Sequence, residues 1–306
     1  MALDLSLKID VVQANELSVD DFNRNYFIPQ KPVLIKGLAF QQPAGRKWSI
    51  DFFRNIAGDE VVEVIDNRNR RHERTTTTTG DRKIMLREFL NVIEKDEYTP
   101  FRMFVFNLFK LRKDLRKDFL CPEIFKGFLD HLGFFFMGGK NTEVRLHFDV
   151  DYNNVLLTQF YGKKQIVLIE PKYSALLYKL PFNTHSNVNL DTPDYKTFPG
   201  LGFVKGYKFI QEPGDALFMP ARWWHYNVYL EGGIAVSYRK LHRNPFKNVI
   251  GFLSLGVMIP FDKTMARIFK DKWFYFKTKL SRIRAEATIK KLRFDSNSNG
   301  MRVPHP

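Results

Sequence analysis

Two histidines and an aspartate carry the clearest chemistry in this 306-residue chain. His147 and Asp149 flank Phe148, and a third candidate, His225, closes the triplet Trp223-Trp224-His225. Two imidazoles and one carboxylate are the ligand set of a non-haem Fe(II) site that keeps positions open for other ligands. The spacing suits a β-strand, where residues i and i+2 face the same side. His147 and Asp149 would then point inward together, Phe148 would pack outward, and His225 would arrive from another strand. The same residues also read as unrelated buried or surface histidines, because an H-x-D pair alone is a weak pattern. What surrounds it has to decide.

The chain is long enough for one large domain, or one domain with an appended segment. Its 30 phenylalanines can fill a core, and Cys121 is its one cysteine. That excludes an internal disulfide and a cysteine-based metal cluster and fits a reducing compartment. Met1-Ala2-Leu3-Asp4 does not begin a signal peptide, so the expected location is cytoplasmic. No apolar run reaches membrane-spanning length; the longest, Val249 to Phe261, contains Pro260 and is too short. A net charge of +15 favours an anionic partner, whether nucleic acid, membrane surface or acidic protein.

The elements that must position the three ligands change character along the chain. Residues 1–100 read as mixed α/β. Ser18 is a helix N-cap before Asp20 and Asp21. Lys31 to Gly37 and Glu60 to Asp66 are strands. Ser49 to Ile56 and Ile84 to Ile93 are helices, the first ended by Gly58. Thr75 to Thr79 form a polar loop. Phe101 to Phe109 and Gly133 to Gly139 read as strands around a solvated basic stretch, Lys110 to Lys117.

From Thr142 to about Lys240 the pattern is short strands between turn residues. Val144 to Val150, Val155 to Tyr161, Gln165 to Ile169, Gly206 to Gln211, Ala216 to Met219 and Ile234 to Tyr238 are separated by Gly162, Pro171, Pro213-Gly214-Asp215 and Gly232-Gly233. The expected fold is mainly β with flanking helices: a double-stranded β-helix, or jelly roll, plus C-terminal helices. Residues 1–244 form the domain, with an α/β part over 1–100 and a barrel core over about 101–240. Residues 245–294 form a basic helical segment, in which Phe269, Trp273, Phe274 and Phe276 interleave with Lys270, Lys272, Lys277 and Lys279. Residues 295–306 are expected to be a disordered tail.

At this level the chain resembles the JmjC-type, cupin-like 2-oxoglutarate oxygenases, and within them the branch that contains the asparaginyl hydroxylase of hypoxia-inducible factor. The resemblance covers about residues 10–240 and rests on ordered motifs. These are Pro32-Val33-Leu34-Ile35 with Trp48, His147-Phe148-Asp149, Gly162-Lys163-Lys164-Gln165, Leu176-Leu177-Tyr178, Asp191 to Tyr195 with Phe198-Pro199, Pro213 to Pro220, and Trp223-Trp224-His225.

The resemblance implies that His147, Asp149 and His225 bind Fe(II), that 2-oxoglutarate and O2 take the open positions, and that the cosubstrate is decarboxylated to succinate. It places the cation for the distal carboxylate at Lys164. Arg239, on the last core strand where close relatives carry asparagine, is the rival, with Tyr238 and Lys240 facing the other way. It implies a cosubstrate contact from Asn153 or, because the interval to Gly162 is longer here, from Asn154. Val144 replaces an expected threonine, and an expected tyrosine is missing near Phe104 and Phe106. Thr158 could substitute or be an ordinary strand threonine. Trp223 and Trp224 read as packing, Asp215 as structural, and His131 and His185 as bystanders.

A protein or peptide is the first substrate class that the resemblance implies. An RNA base, as in related cupins acting on modified transfer RNA, and a small molecule are alternatives. So is a non-catalytic cupin that only binds, although three intact ligands argue against it. Similar enzymes dimerise through helices at the C-terminal position, which makes a homodimer the first reading of residues 245–294. Peripheral attachment to an anionic membrane is the second, and a helical cap with a solvated basic face the third.

Overall fold

The computed structural model describes residues 2–69, 74–76, 79–129 and 132–298. Five strands lie in the first part: β1 (Asp4–Leu7), β2 (Asp10–Gln13), β3 (Val33–Lys36), β4 (Val61–Asp66) and β5 (Arg82–Met85). Ser18 caps the short helix Val19–Phe22 by accepting from the Asp21 amide at 3.0 Å. Two longer helices, α1 (Ile50–Ala57) and α2 (Leu86–Glu94), bury Ile50, Phe53, Leu86, Phe89, Leu90 and Ile93 on one stripe each, as apolar spacing of three and four residues requires.

Next come β6 (Phe101–Phe106), β7 (Phe134–Gly138), β8 (Glu143–His147), β9 (Asn154–Tyr161) and β10 (Lys164–Ile169). After a long connection follow β11 (Lys205–Gln211), β12 (Ala216–Met219), β13 (Trp224–Tyr229) and β14 (Gly233–Lys240). One sheet runs β1-β11-β10-β13-β8, and the other β2-β3-β12-β9-β14-β7-β6-β4-β5. Apart from the parallel pairs β1·β11 and β2·β3, neighbours are antiparallel. From β7 to β14 the chain passes back and forth between the sheets, the winding of a double-stranded β-helix.

Three apolar layers result. Between the sheets lie Val155, Leu157, Ile166, Leu168, Leu217 and Ala235. Outside the large sheet, helices cover Leu156, Phe218, Val236 and Tyr238 with Phe22, Trp48, Phe53 and Phe109. Outside the small sheet, Phe148, Val167 and Trp224 pack with Leu176 and Leu177. Two positions show why glycine is needed. Gly162, at φ +65°, joins β9 to β10, and a Cβ there would sit 1.9 Å from the Gly232 carbonyl oxygen. Gly138 meets the Tyr229 ring, where a Cβ would come within 2.6 Å.

The C-terminal segment is helical on both sides of one break: α3 (Pro245–Leu253), a π-type turn (Ser254–Met258) and α4 (Ile259–Ser298). Asn244 caps α3 by accepting from the Phe246 amide. α4 breaks at Lys270, where φ is 48° and ψ −123°. The break is why Asp262 reaches Lys277 at 2.7 Å and Trp273 at 2.8 Å, since fifteen residues of straight helix would separate the first pair by about 22 Å.

Several expectations need correction. Ile84 belongs to β5, and β6 stops at Phe106 because Leu108–Leu111 turns as a helix. His225 was expected to arrive on a strand, but that strand, Trp224–Tyr229, was absent from the expected elements. Residues 295–298 continue α4, because nothing in their sequence stops a helix before Gly300. Pro260 does not divide the apolar run. It sits in the first turn of α4, directly after the wide turn, where a missing N–H is tolerated. The stretch Pro245–Asp295 is therefore long and apolar enough to cross a membrane, by length and composition alone. Thr77, Thr78, His131 and residues 299–306 lie outside the described residues.

Candidate metal centre

His147 and His225 are direct partners in the antiparallel register of β8 and β13. Their rings lie 4.1 Å apart between centroids. Asp149 follows the end of β8, and its Oδ1 is 4.0 Å from the Nε2 of each histidine. One donor atom from each residue falls within 4.8 Å of the other two. Phe148 turns the opposite way, against Trp224 at 4.9 Å. Among the described residues this is the one cluster of His, Cys, Asp or Glu that could hold a metal ion.

The atoms not needed for a metal are tied elsewhere. His147 Nδ1 lies 2.7 Å from the Arg145 carbonyl and His225 Nδ1 lies 3.1 Å from the Trp223 carbonyl. A ring nitrogen facing a carbonyl must carry the proton, so each Nε2 presents a lone pair. Burial, reinforced by the neighbouring His225 charge, pushes His147 well below the ordinary imidazole range. Burial also lowers His225, against the pull of Asp149. Arg239 donates to Asp149 Oδ2 at 3.0 Å and to both oxygens of Asp151, at 3.0 and 2.8 Å. Burial opposes ionisation of Asp149, but Arg239 outweighs it and the carboxyl stays below its usual range. The donors are two neutral imidazoles and a carboxylate oxygen, which suits a divalent transition metal.

The cluster stands between two chambers. The outer one, about 1000 Å³, is lined by apolar side chains that include Phe104, Phe106, Phe134, Phe252, Leu255 and Ile259 and by charged ones that include Arg102, Arg145, Asp151 and Arg239. The inner one is narrow and is lined by Lys164, Tyr229, Asn227, Ser237, Ile166 and Leu217, among others. Lys164 is 2% exposed. Its Nζ sits over the Tyr229 ring at 4.4 Å, and among the described residues no carboxylate pairs with it. Burial pushes its pKa down to about 7. Asn227 Oδ1 and Ser237 Oγ, in the same chamber, are also buried without a hydrogen-bond partner. A lone buried ammonium beside unsatisfied polar atoms is costly unless an anion completes the site. A dicarboxylate with one end at the metal would meet that need.

The other expected contacts are distributed unevenly. Asn153 lines the outer chamber and donates to Asp151 Oδ2 at 3.0 Å, with its Oδ1 unpartnered. Asn154 lines neither chamber. Its side chain accepts from the Ala221 amide at 3.1 Å and donates to the Leu241 carbonyl at 3.4 Å, so it ties two connections together. Thr158 is fully buried on the opposite face of β9 from Val155 and Leu157, and it lines neither chamber. Strand alternation places it against the outer core. Arg239 lines both chambers but is engaged by two carboxylates. Tyr238 and Lys240 face the other side, packed on Phe119 and over Phe27.

Sequence reasoning missed several neighbours. His185, expected to be a bystander, lies 5.5 Å from the His147 ring and lines the outer chamber. It comes from an irregular loop, so no periodicity could have found it. Asp151 holds the second side of Arg239. Arg102 lines both chambers and donates to Asn67 at 3.0 Å, and burial lowers its pKa to about 10. Alternation along β6 was the signal available for Arg102.

Comparison with known proteins agrees with this geometry. The Cupin-like domain family matches residues 19–247. The tRNA wybutosine-synthesizing protein 5 of Danio rerio is 25% identical over 320 residues, covering 94% of this chain and 96% of that protein. Lysine-specific demethylase 8 of Xenopus tropicalis is 27% identical over 233 residues, covering 72% of this chain and 50% of that protein. Lysine-specific demethylase JMJ30 of Arabidopsis thaliana is 28% identical over 240 residues, covering 74% and 54%. With its jelly-roll fold and its His-Asp-His cluster, the chain belongs to the cupin-like JmjC family of Fe(II)- and 2-oxoglutarate-dependent oxygenases.

Proposed function

We propose that this chain hydroxylates a C–H bond on an apolar group, using Fe(II), 2-oxoglutarate and O2. One observation carries the reading: a three-donor cluster adjoins a chamber whose buried lysine has no carboxylate partner. His147, Asp149 and His225 would hold the iron, and Lys164 would receive the distal carboxylate, with Asn227 and Ser237 beside it. When bound, iron and the oxo acid supply the oxidising chemistry.

The chain's own residues supply orientation. The carbonyls of Arg145 and Trp223 hold the imidazoles in one tautomer. Arg239 keeps Asp149 ionised and its Oδ2 occupied, so Oδ1 is the oxygen left to bind metal. That engagement makes Arg239 a positioning residue for Asp149 and leaves the distal carboxylate to Lys164. The aromatic side chains of the outer chamber, Phe104, Phe106 and Phe134, would pack against an apolar reacting group in front of the cluster. A protein or peptide is the substrate class first expected from the sequence, with an RNA base or a small molecule as the alternatives.

Anaerobic Fe(II) with 2-oxoglutarate should give a weak visible metal-to-ligand band. Substrate-free turnover should release succinate, and His147→Ala should abolish both signals. A wild-type protein that shows neither signal sinks the oxygenase chemistry. Turnover that survives in His147→Ala sinks the ligand assignment.

A further inference from the structure

We propose that the site acts on the acyl chains of lipids, and that the helical segment beginning at Pro245 docks the enzyme on an anionic membrane surface. The proposal rests on the hydroxylase reading and names its substrate class.

Three observations support it. On α3 and the turn after it, Phe246, Val249, Ile250, Leu253 and Val257 recur at helical spacing and are all exposed, Phe246 at 76% and Val257 at 60%. Such a stripe on the outside of a protein marks an interaction surface. The opposite face is fixed to the barrel. Gly251 is buried there, and a Cβ on it would lie 2.3 Å from the Asp151 carbonyl oxygen. The helix therefore lies along the domain beside Asp151, and crossing a bilayer would break that contact. A helix held in this way enters the interface lengthwise.

The apolar surface is also continuous with the site. Phe252 and Leu255 are exposed at 64% and 43%, yet they line the outer chamber together with buried Ile259. A chain leaving a lipid layer at this face would meet Phe252, Leu255 and Ile259 at the rim and Phe104, Phe106 and Phe134 on the chamber wall.

Charge decides between a membrane and a second copy of the chain. Arg243, Lys247, Arg267 and Lys272 lie in the same segment as the stripe. Between residues 243 and 279 the acids are Asp262 and Asp271. The first is buried against Lys277 and the second is paired with Arg74. Two copies face to face would bring these cations together, whereas anionic headgroups would neutralise them. In the reaction, one oxygen atom of O2 enters the acyl C–H bond and the other enters succinate. The carbon lost from 2-oxoglutarate leaves as CO2, so atoms and electrons balance.

The full chain is tested by sedimentation with phosphatidylcholine vesicles, with and without phosphatidylglycerol. Binding should need the anionic lipid and weaken with salt. It should fall at least tenfold in Phe246→Glu/Leu253→Glu, which should keep the visible Fe(II)–2-oxoglutarate band. With iron, 2-oxoglutarate and O2, bound vesicles should yield an acyl chain heavier by one oxygen, in step with succinate. Absent vesicle binding, unchanged binding by the double variant, or binding without oxidised lipid each overturns the proposal. So does a dimer that the double variant converts to monomer while neither form binds vesicles, because a second copy then covers the stripe. Loss of the visible band in wild type would instead indict the hydroxylase reading itself.

Discussion

Replacing Lys164 by methionine should separate cosubstrate binding from folding, because the two respond in opposite directions. Burial lowers Lys164 from 10.5 to about 7. A difference of that size corresponds to about 4 kcal/mol at pH 7 disfavouring the folded state, relative to an exposed lysine. Methionine has a similar length and carries no charge to desolvate. Without ligand, Lys164→Met should therefore unfold at a higher temperature than wild type at pH 7.

With ligand the sign reverses. Losing one partner of a buried charge pair costs about 2–5 kcal/mol, so the Kd for 2-oxoglutarate should rise by roughly 30-fold or more. The pH dependence gives a second signature. A lysine that titrates near 7 in the free protein must be protonated to receive a carboxylate. Above that pH, wild-type affinity should weaken about tenfold per unit, while Lys164→Met should lack that slope. Calorimetric titration of the Fe(II)-loaded protein from pH 6 to 9 and thermal melts of the metal-free protein measure both. A Kd within threefold of wild type, with the slope retained, would refute the assignment and point to another cation such as Arg102.

Further outcomes follow from single contacts. Asn154→Ala should lower stability by about 1–3 kcal/mol, because it leaves the Ala221 amide without its acceptor, and should leave the 2-oxoglutarate Kd unchanged; denaturant titration and calorimetry check the pair. Asp262→Asn should cost about 3–5 kcal/mol by stranding Lys277, whose side chain is fully buried, whereas Asp262→Leu/Lys277→Met should come close to wild type; a double variant as unstable as the single one would contradict this. Gly162→Ala should lose more than about 1 kcal/mol, because positive φ and the Gly232 carbonyl both oppose a Cβ there, as a lowered melting temperature would report.

The metal cluster was readable because its signal is local. His147 and Asp149 sit at i and i+2 on a strand edge, and turn residues mark the strands around them. The jelly roll was legible for the same reason, through Gly162, Pro213-Gly214 and Gly232-Gly233. What failed has a common cause. β9 is buried on both faces from Asn154 to Gln159, so its sequence shows no alternation and the facing of Thr158 could not be read. β13 carries His225 and Asn227 toward the interior, and those polar residues interrupt the apolar pattern that announces a strand. His185 and Asp151 reach the site through irregular backbone. Arg239 was visible as a cation but not as the partner of Asp149, because that pairing joins residues 90 positions apart.

The outer wall of the large chamber has a consequence for how such a protein can change. Phe252, Leu255 and Ile259 lie beyond residue 247, where the match to the family ends. The candidate metal ligands and Lys164 all lie on or beside barrel strands within it. One part of the chamber wall is thus carried by a different stretch of the chain from the rest. Substitutions in three helical side chains would resize the rim while leaving the ligand triangle and the lysine chamber untouched. The barrel residues Phe104, Phe106 and Phe134 would hold the remainder of the wall fixed.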